Sequence, residues 1–207
     1  MRHRTAATIL TLGLVALVAA PAAANLPDLT LSTASVDGSA ACLFSIPDGS
    51  GQPLTAAQAL GGAAVDATIT VTLLNPVGNP VVGFPLEDVW VESIDGGLQF
   101  CSTVNADADS DAAGVTTFTG ALPVGGNTFA GLHIMVLGSA LIGSDLPLTV
   151  LTPDLDGDLS VGLSDTVIFA PLYQGGAYDA TIDFFFDGII NLSDLVQYAS
   201  GLNKACL

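Results

Sequence analysis

The sequence predicts a mainly β protein: an antiparallel β-sandwich followed by a small α-helical appendage. Three observations predict it. Short apolar runs, several of them alternating with polar residues, recur from about residue 29 to residue 151 and are separated by Gly, Pro and Asn turns. Helical patterns are confined to the last quarter of the chain, after Pro153. In that quarter one twelve-residue, Asp-rich pattern is written twice.

The clearest strand runs from Ala67 to Leu73, where Thr alternates with Ile69, Val71 and Leu73 and sets those three on one inward face. Asn75-Pro-Val-Gly78-Asn79-Pro80 follows as dense turn chemistry. Val89-Trp-Val91-Glu-Ser is a second strand and carries the only Trp. Leu98 to Cys101, Val115 to Thr119, Leu132 to Val136 and Leu146 to Leu151 continue the series, and Leu29 to Ser32 and Ala41 to Phe44 precede it. Short strands at this spacing suit two antiparallel sheets packed face to face. Residues 52–64 fit a short helix or a loop equally well.

The first 24 residues read as a secretory signal: Arg2 and Arg4, an apolar run from Thr11 to Ala20, then Ala22-Ala23-Ala24 ahead of a cut before Asn25. The run is too short for a membrane span, so the expected product is an exported, soluble protein, secreted or held at a bacterial cell surface. Without Arg2 and Arg4, Lys204 is the single base against 20 acidic residues. Such a balance argues against nucleic acid and anionic lipid as partners and attracts divalent cations. Half of the residues are hydrophobic, so the charge reflects missing bases rather than disorder.

Three cysteines fit an oxidising compartment. Cys42 and Cys101 both lie in or beside predicted strands and are the expected disulfide, which leaves Cys206 free or intermolecular. Neither a Cys-x-x-Cys nor a Cys/His cluster is present to hold zinc.

The doubled pattern carries the only specific chemistry. Its first copy runs from Asp154 to Asp165 and its second from Asp183 to Asp194; each has Asp at positions 1, 5 and 12 and ends in Leu-Ser-Asp. Oxygen donors at positions 1, 3, 5, 7, 9 and 12 wrap a hard cation such as Ca²⁺, position 7 through its backbone carbonyl. The first loop offers Asp154, Asp156, Asp158 and Asp165, with the Ser160 carbonyl at position 7 and water at Gly162. Its weakness is Leu159 at position 6, where Gly makes the sharp turn; a left-handed Leu costs on the order of 1–2 kcal/mol. The second loop has Gly188 at position 6, the Ile189 carbonyl at position 7 and Asn191 at position 9, but Phe185 replaces the position-3 ligand and leaves Asp183, Asp187 and Asp194. The first site is therefore expected to bind better and the second to be weak or empty.

A short helical pattern follows each loop, from Leu163 and from Leu192; Pro171 is expected to stop or kink the first helix and Gly201 to end the second. A calcium loop with one helix, given twice at an offset of 29 residues, resembles a dockerin across residues 153–207. The resemblance implies a cohesin-like or other surface protein as partner. The loops depart from it, with Leu163-Ser164 and Leu192-Ser193 at positions 10 and 11 and no Lys or Arg on the expected helices. Phe169, Leu172, Tyr173 and Tyr198 offer the other outcome, packing of the module onto its own β domain. Within residues 25–152, Gly78-Asn-Pro-Val-Val-Gly83 and Ser110-Asp-Ala-Ala-Gly114-Val-Thr-Thr-Phe118 resemble bacterial Ig-like domains of the invasin and intimin type. That likeness implies an Ig-like sandwich used as a spacer or adhesive module.

Catalysis is not expected. Beyond residue 24 the chain has one His, His133, and its only glutamates, Glu87 and Glu92, are spaced for opposite faces of a strand. Nucleophile-elbow, phosphate-loop and His-pair metal motifs are missing. Two readings remain: an attachment protein, or a sandwich that binds carbohydrate or another ligand while calcium stabilises only its own chain. Trp90, Phe100 and Phe118 separate them, since a coplanar exposed set favours sugar and a buried set favours a structural sandwich.

Overall fold

The computed structural model describes residues 25–37 and 40–207; the signal-like segment lies outside the described residues. Its strands are β1 (Thr33–Val36), β2 (Ala41–Phe44), β3 (Ala57–Ala59), β4 (Ala64–Val65), β5 (Ile69–Thr72), β6 (Val89–Ser93), β7 (Leu98–Phe100), β8 (Val115–Phe118), β9 (Val124–Gly126), β10 (Leu132–Val136), β11 (Ser139–Ala140) and β12 (Leu148–Leu151). Two helices follow, α1 (Leu163–Gln174) and α2 (Leu192–Gly201). Among the described residues the fold is mainly β, with several sheets and only these two short α-helices, and is consistent with an Ig-like sandwich.

One sheet is antiparallel in the order β1-β5-β8, and another in the order β11-β10-β6. Isolated bridges Leu132–Leu146 and Thr128–Val150 carry the pairing on to β12, which continues into β2, β3 and β4. The β12–β2 pair is parallel, a departure from the all-antiparallel expectation. Alternation explains the principal core: Ile69, Val71 and Leu73 of the β5 segment are fully buried with Val89, Val91, Leu132, Ile134 and Val136.

β2 is buried on both faces. Ala41 and Leu43 enter the principal core, while Cys42 and Phe44 enter a second core with Ile46, Leu151, Val161, Phe169, Ile182, Phe184 and Tyr198. Residues 153–207 thus lay their aromatic side chains against β2 and β12. Phe169 and Tyr198 stack with centroids 4.1 Å apart, and Phe44 meets Phe184 edge-on at 5.6 Å. Leu172 and Tyr173 pack against this cluster from its rim.

Four expectations are corrected. The disulfide is Cys101–Cys206, with Cα atoms 5.5 Å apart, and Cys42 is a free, buried thiol. Cys42 cannot reach Cys101 because its side chain lies on the β2 face that lines the aromatic core. The bridge closes a separation of 105 residues, for which loop-closure entropy gives on the order of 4–5 kcal/mol of stabilisation. Second, Leu29–Leu31 form a turn rather than a strand, because Asp28 Oδ1 accepts from the Thr30 N–H (2.8 Å) and the Leu31 N–H (3.1 Å). Third, of the stop or kink expected at Pro171 the stop is overturned, since α1 continues past it to Gln174. Pro171 is on the exposed side of the helix, as is Val167, the residue whose carbonyl its missing N–H would have met. Fourth, residues 52–64 hold neither a lasting helix nor a plain loop: a 3₁₀ turn at Leu54–Ala56 leads into β3 and β4.

Candidate metal centre

The first loop begins where β12 ends. Thr152 donates its hydroxyl to the Asp154 carbonyl at 2.9 Å, and the Gly126 N–H of β9 donates to the same oxygen at 3.0 Å. Gly125 lies directly beneath the Asp154 carboxylate, and a Cβ there would collide with Asp154 Oδ2. A residue with no side chain is therefore what lets the loop sit on β9.

Within the loop the carboxylates order the backbone. Asp154 accepts from the N–H groups of Gly157 (2.8 Å), Asp158 (3.2 Å) and Leu159 (2.8 Å). Asp165 accepts from Leu155 (2.7 Å), Asp156 (3.2 Å) and Gly162 (2.7 Å), which folds position 12 back over positions 2, 3 and 9. Asp158 accepts from both the N–H and the hydroxyl of Ser160 at 2.9 Å. The result brings carboxylate oxygens of Asp154, Asp156 and Asp158 within 4.8 Å of one another, a group that could hold a metal ion. Asp165 stands outside that group.

The second loop repeats the scheme. Asp183 accepts from Asp187 N–H (3.1 Å) and Gly188 N–H (3.0 Å), at positions 5 and 6. Asp194 accepts from Phe185 N–H (3.0 Å) and Asn191 N–H (2.8 Å), at positions 3 and 9. Asp187 Oδ1 accepts from Ile189 N–H at 2.9 Å. The donors differ, however. Among the described residues Asp183, Asp187 and Asp194 do not form a converging triad. Asn191 serves as the N-cap of α2: its Oδ1 accepts from Ser193 N–H at 2.8 Å, and its Nδ2 donates to the Ile189 carbonyl at 3.3 Å. Phe185 turns its ring to Gly62, where a Cβ would lie 2.6 Å from its Cε1.

Backbone conformation settles the question of Leu159. It is left-handed (φ +70°), as is Gly157 (φ +73°); the second loop has Phe186 (φ +51°) and Gly188 (φ +83°) at the same positions, 4 and 6. Both loops thus need two left-handed residues, and each provides one glycine and one strained side chain, in opposite order.

Electrostatics set these loops apart from the rest of the surface. Asp154, Asp165, Asp183 and Asp194 are all 0–1% exposed. Among the described residues the one ion pair is Lys204 to Asp48, so none of the four has a basic partner. Burial pushes the Asp154 carboxyl up to about 6, against hydrogen bonds from Leu159 and Gly157 and with help from the charges of Asp165 and Asp158. Burial likewise raises Asp194, opposed by the N–H groups of Asn191 and Phe185. Tyr178, which donates to Asp183 Oδ2 at 2.8 Å, is pushed up to about 12, first by burial and then by that carboxylate. Tyr178, Thr152 and Gly125 were not foreseeable as parts of the site, since no spacing rule links them to the loops.

The aromatic residues do not make a platform. Phe118 is buried in the principal core, Phe100 packs against it, and Trp90 is half-buried with its Nε1 donating to Glu92 at 2.8 Å. His133 is paired across the sheet with Glu92, and Glu87 lies in a 3₁₀ turn. Among the described residues no helix is long and apolar enough to cross a membrane.

No protein-family model and no curated protein matches the chain. Among solved structures it is similar to the filamin domain of Lin-41, seen in a crystal structure, with 19% identity and a TM-score of 0.34, over 60% of this chain and 95% of that one.

Proposed function

We propose that this is an exported, non-catalytic calcium-binding protein, in which a doubled calcium loop clamps an α-helical appendage onto an Ig-like sandwich that serves attachment or assembly. The observation that carries the reading is the set of four buried carboxylates with no basic partner among the described residues. Each carboxylate accepts two or three N–H hydrogen bonds within its loop, yet burying a charge without a counter-ion costs several kcal/mol, a cost that a bound cation would offset. Donors that are all oxygen, without His or Cys, favour a hard ion, and a loop offering several carboxylates and a backbone carbonyl suits Ca²⁺. The first loop is the stronger site, since it gathers three carboxylates.

The burial of Phe169, Phe184 and Tyr198 against Phe44 supports a part of the alternative reading, that calcium steadies this chain's own packing. Attachment rests on a different surface. Leu163 and Val167 on α1, and Leu192 and Val196 on α2, are each at least 60% exposed and sit at equivalent positions 29 residues apart. Together with the likeness to dockerins, they favour a cohesin-like or other surface protein as partner.

Calorimetric titration of the whole chain with CaCl₂, beside melting with and without chelator, tests the metal reading. Heat of binding and a higher melting temperature are expected; neither appearing would remove calcium. Recovery of partners from surface fractions with and without chelator tests attachment, and equal recovery in both would separate calcium from the partner.

A further inference from the structure

The first loop is held from outside as well as from within. Residues 203–206 pair with it as an antiparallel ribbon: Cys206 N–H donates to Leu159 O (3.1 Å), Val161 N–H to Lys204 O (2.7 Å) and Asn203 N–H to Val161 O (2.9 Å), with Ser160 bridged to Ala205. In an extended pair, successive residues turn their backbone groups to opposite sides. Leu159 and Val161 face this tail, so Ser160 faces the loop interior, and its N–H does so by donating to Asp158 Oδ1. Ser160 is position 7, the one ligand of such a loop that comes from the backbone.

The tail is itself fixed. Cys206 is bonded to Cys101, the residue after β7, and Lys204 Nζ meets Asp48 Oδ2 at 2.7 Å. β7 pairs with β9, the strand whose Gly125 and Gly126 carry Asp154. One frame, from β9 through β7, Cys101, Cys206 and the tail, therefore holds the first loop at position 1 and at positions 6 and 8, which flank Ser160 at position 7. The second loop leans on the β3–β4 turn instead, where Gly61 N–H donates to Phe186 O at 2.8 Å.

Resting on the calcium reading above, we propose that the Cys101–Cys206 disulfide positions the Ser160 carbonyl for the metal, so that the first loop binds Ca²⁺ tightly when the bridge is oxidised and weakly when it is reduced. A dithiol reductant supplies the step. Its thiolate attacks one sulfur, forming a mixed disulfide, and its second thiol closes to a cyclic disulfide. Two electrons and two protons pass to the sulfurs of Cys101 and Cys206. Both cysteines are half-buried and open to such a reagent. The released tail keeps the three ribbon hydrogen bonds and the Lys204–Asp48 contact, whose Lys side chain is 42% exposed. A surface ion pair adds little, so without its covalent tie the end of the ribbon is free to fray from Leu159 and Ser160. By linkage, calcium makes the bridge harder to reduce by the same factor.

The experiment titrates Ca²⁺ into the oxidised chain, the dithiol-treated chain and C101S, with D158A assigning uptake to the first loop. Directly excited terbium(III) reports the waters on the bound ion. The expected result is affinity at the first loop lower by roughly tenfold or more after reduction, with an additional water on terbium and the second loop unchanged. The extra water is a readout that general loss of stability would not produce. Should reduction unfold the chain, a glycine inserted between Lys204 and Ala205 keeps the bridge while slipping the ribbon, and must weaken binding as reduction does. Equal affinity and equal hydration in both redox states overturn the proposal with calcium binding intact. An oxidised chain that takes up no calcium removes the reading beneath it as well.

Discussion

The two Asp-rich loops share a hydrogen-bond scheme but not a metal-ready interior. In each, the position-1 carboxylate gathers the N–H groups of positions 5 and 6, and the position-12 carboxylate gathers those of positions 3 and 9. Only the first brings three carboxylates together. The comparison separates two roles that one motif usually combines. Positions 1 and 12 fold the loop, whereas positions 3 and 5 decide how much charge faces a cation. The second loop has kept the folding pair and replaced a charge with Phe185, which packs beside Gly62 on the β3–β4 turn.

The sharpest way to break this comparison is to remove the shared floor. Phe184→Ala empties the centre of the aromatic core and should cost about 3–5 kcal/mol in denaturant unfolding; a loss under about 1 kcal/mol would show that the loops do not depend on it. Next, Asp158→Ala should abolish most of the calcium-induced stabilisation, about 2.7 kcal/mol at a hundredfold excess over the dissociation constant, while Asp187→Ala leaves it nearly intact. Equal losses from the two would make the loops functionally alike. Phe185→Asp restores the missing ligand and should raise second-loop affinity by roughly tenfold, about 1.4 kcal/mol, measured by calorimetry in an Asp158→Ala background.

Smaller effects probe the turns and the tail. Leu159→Gly should stabilise the metal-free chain by up to about 1 kcal/mol, and Gly188→Leu should destabilise it by about 1–2 kcal/mol, both read by thermal melting. The smallest effect is in acid. Burial raises the Asp48 carboxyl, but the Lys204 ammonium and the Ser50 hydroxyl and N–H outweigh it and hold it at about 2, below its ordinary 3.8. A depressed carboxylate contributes stability above its unfolded value, and that contribution is lost as pH falls from about 3.8 toward 2. Asp48→Asn should flatten the melting temperature in that window; an unchanged acid limb would show that the pair holds nothing.

Much of the sandwich is legible in the sequence, because half-buried strands write their burial as alternation. β5 and β6 bury Ile69, Val71, Val89 and Val91 as that rule requires. β2 is less legible, since all four of its residues are buried and periodicity cannot assign Cys42 to one core and Leu43 to the other. That loss of face information is also why Cys42 looked like a partner for Cys101. β3 escapes because Ala57-Gln58-Ala59 is only three residues long, too short to establish a period. At the candidate metal centre the positions of the loop carboxylates follow from spacing alone, and so does the difference in charge between the loops. Their supports do not, because Gly125, Tyr178 and the tail reach the loops across the fold, and distance in sequence hides them.

The position of β2 between two cores has a consequence in time. Synthesis makes β2 long before β12 and the helices, and a chain folded only through β12 turns Cys42, Phe44, Ile46 and Leu151 to solvent. Such a species is sticky for as long as the aromatic cluster is unformed. The parallel β2–β12 contact, joining residues more than a hundred apart, is also slow to form, so the second core cannot begin early. Aggregation during folding should therefore depend on how quickly residues 153–207 arrive, and a late-acting binder of their loops, rather than a better sandwich, is what would shorten that exposure.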